Sequence, residues 1–284
     1  MRIKAGVRFV LFLAVLLSGA HVFAQSSVWQ VRKGANTLYL GGSIHMLRAS
    51  DFPLPREFDL AFEKSSVLVL ESDMAELESP DSMLPYLMLP VGKTLRTELD
   101  PKTFQELEKT CGELGLPLEN FMQMTPGAMF AVLVVAQLQG AGFTSPGVDE
   151  HYQERARKEG KKLLFLETPT EQLALVNELG EDLLRQSLKD PTSEVVKIMT
   201  QLVTEWRSGV QTTNEALVEE MRRDYPHIYQ RLLLDRNQAW LQKIDGYLES
   251  AETEFLLVGF MHLALDDGLL QSLRNKGYEV RQLR

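Results

Sequence analysis

Cysteine is nearly absent: the 284 residues contain one, Cys111. No internal disulfide can form, so a disulfide-stapled scaffold is excluded and the fold must rest on a hydrophobic core. Cys111 lies in the helix-end pattern EKTCGELG, where packing is its expected role. Positive charge is also short, with 30 Lys and Arg against 39 Asp and Glu and a net charge of −9. That balance argues against nucleic acid or an anionic lipid surface as partner. Beyond the N-terminus there is no apolar run long enough to span a bilayer. Low-complexity tracts and linkers rich in Pro, Gly or Ser are missing too, which favours one domain. What remains is ordinary globular composition, 44% hydrophobic and 24% charged, with ample material for a core.

The first two dozen residues differ from the rest. Arg2, Lys4 and Arg8 precede the apolar run FVLFLAVLL (9–17), and Val22-Phe23-Ala24 offers small residues at a cleavage site before Gln25. This reads as a secretory signal peptide over 1–24, followed by a single domain over 25–284. The apolar run is short for a membrane anchor, and no cysteine stands near the cleavage site for lipid attachment. The mature chain is therefore expected to be exported, periplasmic or secreted, with no stable anchor. Three basic residues leave with the peptide, so its formal charge is −12.

The pattern beyond residue 25 alternates strands and helices. Residues 27–32 and 37–41 read as a hairpin around Lys33-Gly34-Ala35-Asn36. SVLVLES (66–72), KLLFLE (162–167) and EFLLVG (254–259) are continuous apolar runs of the kind found in buried strands. Between them lie helical patterns with early prolines at Pro55, Pro101, Pro126 and Pro169, and expected stops at Gly160, Gly180 and Gly277. Residues 192–248 look almost wholly helical, and YEVRQL is a last strand. The expected fold is α/β: a mixed, largely parallel central sheet flanked by helices, with helical insertions (80–140 and 181–248) covering one end. MLPYLMLP (83–90) is apolar enough to line a cleft or a partner surface, but a core helix segment is the first expectation.

Four of the apolar runs end alike. TLYLGGSIH gives Gly42-x-x-His45, and EFLLVGFMH gives Gly259-x-x-His262. SVLVLES delivers Glu71, and KLLFLE delivers Glu167. Glycine after a strand lets the backbone turn or approach something closely, and ligands of open α/β sheets sit beyond the strands' C-terminal ends. If these strands are parallel neighbours, two imidazoles and two carboxylates converge on one rim. Such a set is either a metal site or an acid/base site. Taken singly, each His has a structural reading, and each Glu has a reading as a helix N-terminal carboxylate, for Glu167 before Thr-Pro-Thr-Glu an equally good one; the case rests on all four. His151, in a helix between charged neighbours, is expected to be solvated, with an approach to the cleft from GVDEHY as the alternative, and His227 is expected to lie at the surface. Arg236-Asn237 in LLLDRNQAW is either a solvated pair or one whose guanidinium turns inward, to polarise a carbonyl or hold a carboxylate.

The segments LGGSIH, FEKSSVLVLESD, GVDEHYQERARKEGKKLLFLETPTEQL, RNQAW and LLVGFMHLALDDGLLQSLRNKGYEV together resemble the TraB/GumN family, which includes the Tiki metalloproteases. The resemblance implies an α/β fold distantly similar to erythromycin-esterase-like hydrolases, and peptidase activity with divalent manganese or cobalt. On the matching positions it implies His45 and His262 as the motif histidines, Glu71 and Glu167 as the strand-end glutamates and Arg236 as the helix arginine. Unlike Tiki members, this chain is expected to carry no membrane anchor.

The leading expectation is an exported metal-dependent hydrolase, peptidase-like, acting on a peptide or small-molecule substrate. His45, His262 and one glutamate, with Glu71 the first choice, would bind a divalent cation. The other glutamate would take a proton from bound water, and the metal or Arg236 would stabilise the oxyanion. Donors of N and O without thiolate suit zinc, manganese or cobalt, and the spacing is not H-E-x-x-H. The alternatives are a metal-free ester or lactone hydrolase, with an imidazole base oriented by a carboxylate, and a non-catalytic peptide-binding protein.

Overall fold

The computed structural model describes residues 26–73 and 80–284. The expected signal peptide lies outside the described residues.

Among the described residues there are eight strands: β1 (Val28–Lys33), β2 (Asn36–Ser43), β3 (Met46–Leu47), β4 (Val67–Leu70), β5 (Ser145–Pro146), β6 (Lys162–Phe165), β7 (Glu254–Gly259) and β8 (Glu279–Gln282). Six of them form one sheet in the order β6-β4-β7-β2-β1-β8. The pairs β6–β4, β4–β7 and β7–β2 are parallel, while β1 runs antiparallel to both β2 and β8. The sheet is thus mixed and largely parallel, as the alternation of strands and helices implied. Strands β4 and β7 lie in its middle and are buried on both faces, which is why they read as unbroken apolar runs. The short pair β3–β5 stands apart and ties the segment after β2 to the segment before helix Val148–Glu159.

Two cores coexist. The main one covers the sheet and holds Phe58, Phe62, Tyr152, Trp206, Trp240 and Phe255. A second joins Leu95, Phe104, Leu107, Cys111, Met129, Leu133 and Leu184. Residues 80–139 therefore form a helical lobe with its own interior. The stretch 181–248 covers the sheet as expected, with Trp206 and Trp240 buried in the sheet's core and hydrogen-bonded to Gly42 O and Glu167 at the strands' C-terminal ends. That stretch is part of the body, and its aromatic residues are what seat it there.

Gly180 does not stop a helix but opens the next one, Gly180–Ser187. A Cβ there would meet Gly127 N at 2.4 Å, so its smallness serves helix–helix contact. Gly160 does close its helix, in the left-handed region at φ 69°. The 83–90 segment is not core: Leu84 and Met88 are exposed. Cys111 is buried as expected, and burial pushes its thiol up to about 11. Among the described residues, no helix is long and apolar enough to cross a membrane.

Candidate active site

Because β6, β4, β7 and β2 are parallel neighbours, their C-terminal ends share one rim. Glu167, Glu71, His262 and His45 follow those ends, in that spatial order. The glycine before each histidine acts through space. A Cβ on Gly42 would meet Phe260 Cδ2 at 2.7 Å. Phe260 opens the 3-10 turn Phe260–Leu263 that carries His262. The glycine of one motif thereby makes room for the turn of the other. Gly259 contributes its amide, which donates to Glu71 Oε1 at 2.7 Å.

Arg236 ties three of the four together. It reaches inward from helix Asp235–Tyr247, which follows a π-helical turn at Gln230–Leu234. Its Nε donates to Glu167 Oε1 at 2.8 Å, and its Nη2 donates to Glu71 Oε2 at 2.6 Å. A further bond from Nη2 to Glu167 Oε2 (3.0 Å) makes the Glu167 pairing bidentate. Nη1 lies 3.1 Å from His262 Nε2. A guanidinium only donates, so that nitrogen must be the unprotonated one. His262 Nδ1 then carries the proton and gives it to Asn237 Oδ1 at 2.8 Å. Trp240 Nε1 donates to Glu167 Oε1 at 2.9 Å. Glu167 is therefore not a cap; Thr168 caps the following helix, with Glu171 completing the box.

Glu71 accepts one more bond, from Gln172 Nε2 at 3.1 Å. Ser72 Oγ donates to Gln172 Oε1 at 2.6 Å and so fixes which way that amide faces. Burial alone would push the Glu71 carboxyl up. The charges of Arg236 and His45 and the hydrogen bond from the Gly259 amide outweigh it and hold Glu71 near 2. Burial is also the main reason His262 falls to about 3, which keeps it neutral.

His45 lies apart from this knot. Its Nδ1 donates to Asp149 Oδ2 at 3.0 Å. Asp149 is in the first turn of helix Val148–Glu159 and is buried, with its other oxygen, Oδ1, unpartnered among the described residues. Asp149 is the main cause raising His45 to about 9. The imidazole is 61% exposed, so water screens part of that attraction. Burial would raise Asp149, but the charge on His45 prevails and lowers it. His45, Asp149, Glu71, Gln172, Ser43 and Ser72 line one cleft of about 160 Å³.

Of the residues singled out from sequence, Glu71, Glu167, His262 and Arg236 thus meet directly, and His45 shares a cleft with Glu71. Asp149, Gln172 and Trp240 were missed. Asp149 stands two positions before His151 in GVDEHY, and a strand-end imidazole in search of a carboxylate was the available signal. His151 is half-buried against the rings of Phe52 and Tyr152, not solvated. His227 is exposed, as expected.

The proposed metal ligands, His45, His262 and Glu71, fit an ion poorly as they are arranged. Arg236 occupies His262 Nε2 and Glu71 Oε2. Among the described residues, no three His, Cys, Asp or Glu side chains form a group able to hold a metal.

The TraB/PrgY/gumN family description matches residues 27–282. The chain belongs to that family. The Metalloprotease TIKI1 of Danio rerio is 22% identical to it over 313 aligned residues, spanning 90% of this chain and 62% of that protein. No solved structure matches. The chain is thus distantly similar to a protein named as a metalloprotease and spans less than two thirds of that protein's length.

Proposed function

We propose that this chain is an exported hydrolase of amide or ester bonds, peptidase-like in its relatives' manner, with its reaction centred on His45. One observation carries this reading. A solvent-open imidazole is hydrogen-bonded through Nδ1 to a buried carboxylate, Asp149, beside a cleft whose other acid, Glu71, is held ionised.

The chemistry follows from that arrangement. Asp149 fixes the tautomer, so Nε2 is the nitrogen free to take a proton from water attacking the substrate carbonyl. The imidazolium that forms is stabilised by Asp149 and returns its proton to the leaving group. Glu71, clamped by Arg236, Gly259 and Gln172, keeps a fixed negative charge near the imidazolium. The cleft takes a small group, so a side chain or ester acyl group would enter and not a whole folded partner. The N-terminal segment read as an export signal supports a substrate met outside the cytoplasm.

Dependence on manganese, cobalt or zinc is the second reading, favoured by the metalloprotease among its relatives. Such an ion would supply a more acidic bound water. The pairing of Arg236 with the expected ligands favours the reading without an ion.

The test uses p-nitrophenyl acetate and a quenched-fluorescent peptide library with the mature protein, before and after dialysis against chelator. Hydrolysis is expected to survive the chelator, to fall at least about 100-fold in His45→Ala, as general-base loss implies, and to fall clearly in Glu71→Gln. Loss on chelation with recovery on manganese would select the metal-dependent reading. Undiminished activity in His45→Ala would remove the mechanism.

A further inference from the structure

The carboxylate that orients His45 is only half used. Asp149 Oδ2 accepts from His45 Nδ1 at 3.0 Å, whereas Oδ1 has no partner among the described residues, although Asp149 is only 7% exposed. A buried carboxylate oxygen without a donor is costly. Asp149 lines the cleft, so its donor is expected to come from whatever enters there. The charges point the same way. In the hydrogen-bonded rim three carboxylates, Glu71, Glu167 and Asp149, are set against one permanent cation, Arg236. His262 accepts from Arg236 and is neutral. When His45 is neutral too, as a base must be, the rim carries an excess of negative charge.

A primary ammonium fits this lining. It carries one positive charge and several donors, and the cleft offers it Asp149 Oδ1, the Glu71 carboxylate and the Ser43 hydroxyl as acceptors. Position decides which ammonium. One carboxylate would hold both the base and the ammonium, so the charge must lie close to the carbonyl under attack. The α-ammonium of a peptide's first residue stands two bonds from that carbonyl carbon, whereas a lysine ammonium stands six bonds away. Leu70 and Leu257, both buried, line the same cleft and would pack against the first side chain. At about 160 Å³ the space suits a small terminal residue and not a chain running through it.

We propose that the cleft binds the free α-ammonium of a peptide's N-terminal residue on Asp149 and Glu71, so that the substrates are peptides or amino-acid amides cleaved after that residue. In the step, the oxygen of water joins the first carbonyl carbon and the bond from that carbon to the next nitrogen breaks. The proton taken from water passes through His45 Nε2 to the leaving nitrogen. The inference rests on the hydrolase reading for cleavage, but the ammonium site is also read by binding.

The test compares L-alanine p-nitroanilide with its N-acetyl form, on mature wild type and Asp149→Asn. Wild type should prefer the free amine by roughly 10- to 100-fold in kcat/KM, as loss of a charge-assisted hydrogen bond implies. Asp149→Asn slows both substrates through His45, so the readout is their ratio, which should fall toward one. A carboxylate that only orients the imidazole would leave the ratio unchanged. L-Alaninamide at neutral pH should raise the melting temperature of wild type and of His45→Ala, and N-acetyl-L-alaninamide should not. The wild-type comparisons hold whether or not Asp149→Asn folds. Equal rates and equal binding for free and acetylated forms would overturn the proposal. So would a folded Asp149→Asn that keeps the preference, or faster cleavage of Nα-acetyl-lysine p-nitroanilide than of the free alanine substrate. Discrimination in binding without hydrolysis would remove the hydrolase reading and leave the ammonium site standing; hydrolysis without discrimination would do the reverse.

Discussion

At the scale of single residues, the pairing of His45 with Asp149 depends on a close backbone approach. Val148 N donates to Ile44 O at 3.0 Å, and a Cβ on Gly147 would lie 2.5 Å from His45 O and 2.6 Å from His45 Cα. These are backbone atoms that cannot swing aside. Gly147→Ala should therefore push helix Val148–Glu159 away from His45 and separate the imidazole from Asp149. Asp149→Asn tests the same pair electrostatically. Asp149 raises His45, so in wild type the neutral imidazole, the form that can accept a proton, becomes abundant only as pH rises above the ordinary histidine range. The asparagine variant removes that charge, so the His45 pKa falls and the rising limb of the rate profile moves to lower pH. Its plateau should drop, roughly 10-fold or more, because the imidazolium loses its counter-charge. A pH–rate profile of kcat for both proteins checks this, and an unmoved limb would mean that His45 is not the titrating group.

At the scale of elements, the glycine pair at the end of β2 sets how two segments from opposite ends of the chain meet. The 3-10 turn Phe260–Leu263 rests on Gly42, where a Cβ would press on Phe260 Cδ2 at 2.7 Å and Leu263 Cδ1 at 3.1 Å. Gly42→Ala should cost about 1–3 kcal/mol through overpacking, and it should displace His262 from Asn237 and Arg236. Urea unfolding measures the first effect. Hydrolysis of the peptide library measures the second; loss of stability with unchanged turnover would show that the turn repacks without moving the imidazole. The strand ends were legible in the sequence for a plain reason. Runs such as VLVL and LLVG are too short and too continuous to be anything but buried strands, so the polar residue after each had to lie on the rim. The target of Arg236 was not legible, because the π-helical turn Gln230–Leu234 shifts the helical phase just before it. A regular 3.6-residue count does not predict which way the guanidinium faces. Asp149 escaped notice because an acid in a helix's first turn ordinarily faces water and interacts with the helix dipole.

For the whole molecule, the buried rim couples stability to pH, and the sign can be worked out group by group. His262 falls to about 3 in the fold against 6.5 when exposed, so below pH 6.5 the unfolded chain takes up a proton that the native state refuses. Stability is then lost as pH falls from 6.5 toward 3. Glu71 falls from 4.5 to about 2 and adds a second loss at lower pH. His45 works in the opposite sense. Its pKa rises to about 9, so its contribution is complete below pH 6.5 and disappears as pH climbs through 9; its exposure makes this limb shallower. The rim alone thus sets a stability maximum near pH 6.5. Between pH 6.5 and 5 most carboxylates remain ionised, which isolates the histidines. His151, half-buried and also lowered, adds in the same direction as His262. Over that interval wild type should lose about 1–2 kcal/mol on account of His262, at about 1.4 kcal/mol per unit of difference. His262→Gln keeps a neutral polar side chain and removes the titration. Urea midpoints at pH 6.5, 5.75 and 5 should fall clearly in wild type and far less in the variant. Parallel falls in the two proteins would mean that His262 is not held neutral by its burial beside Arg236.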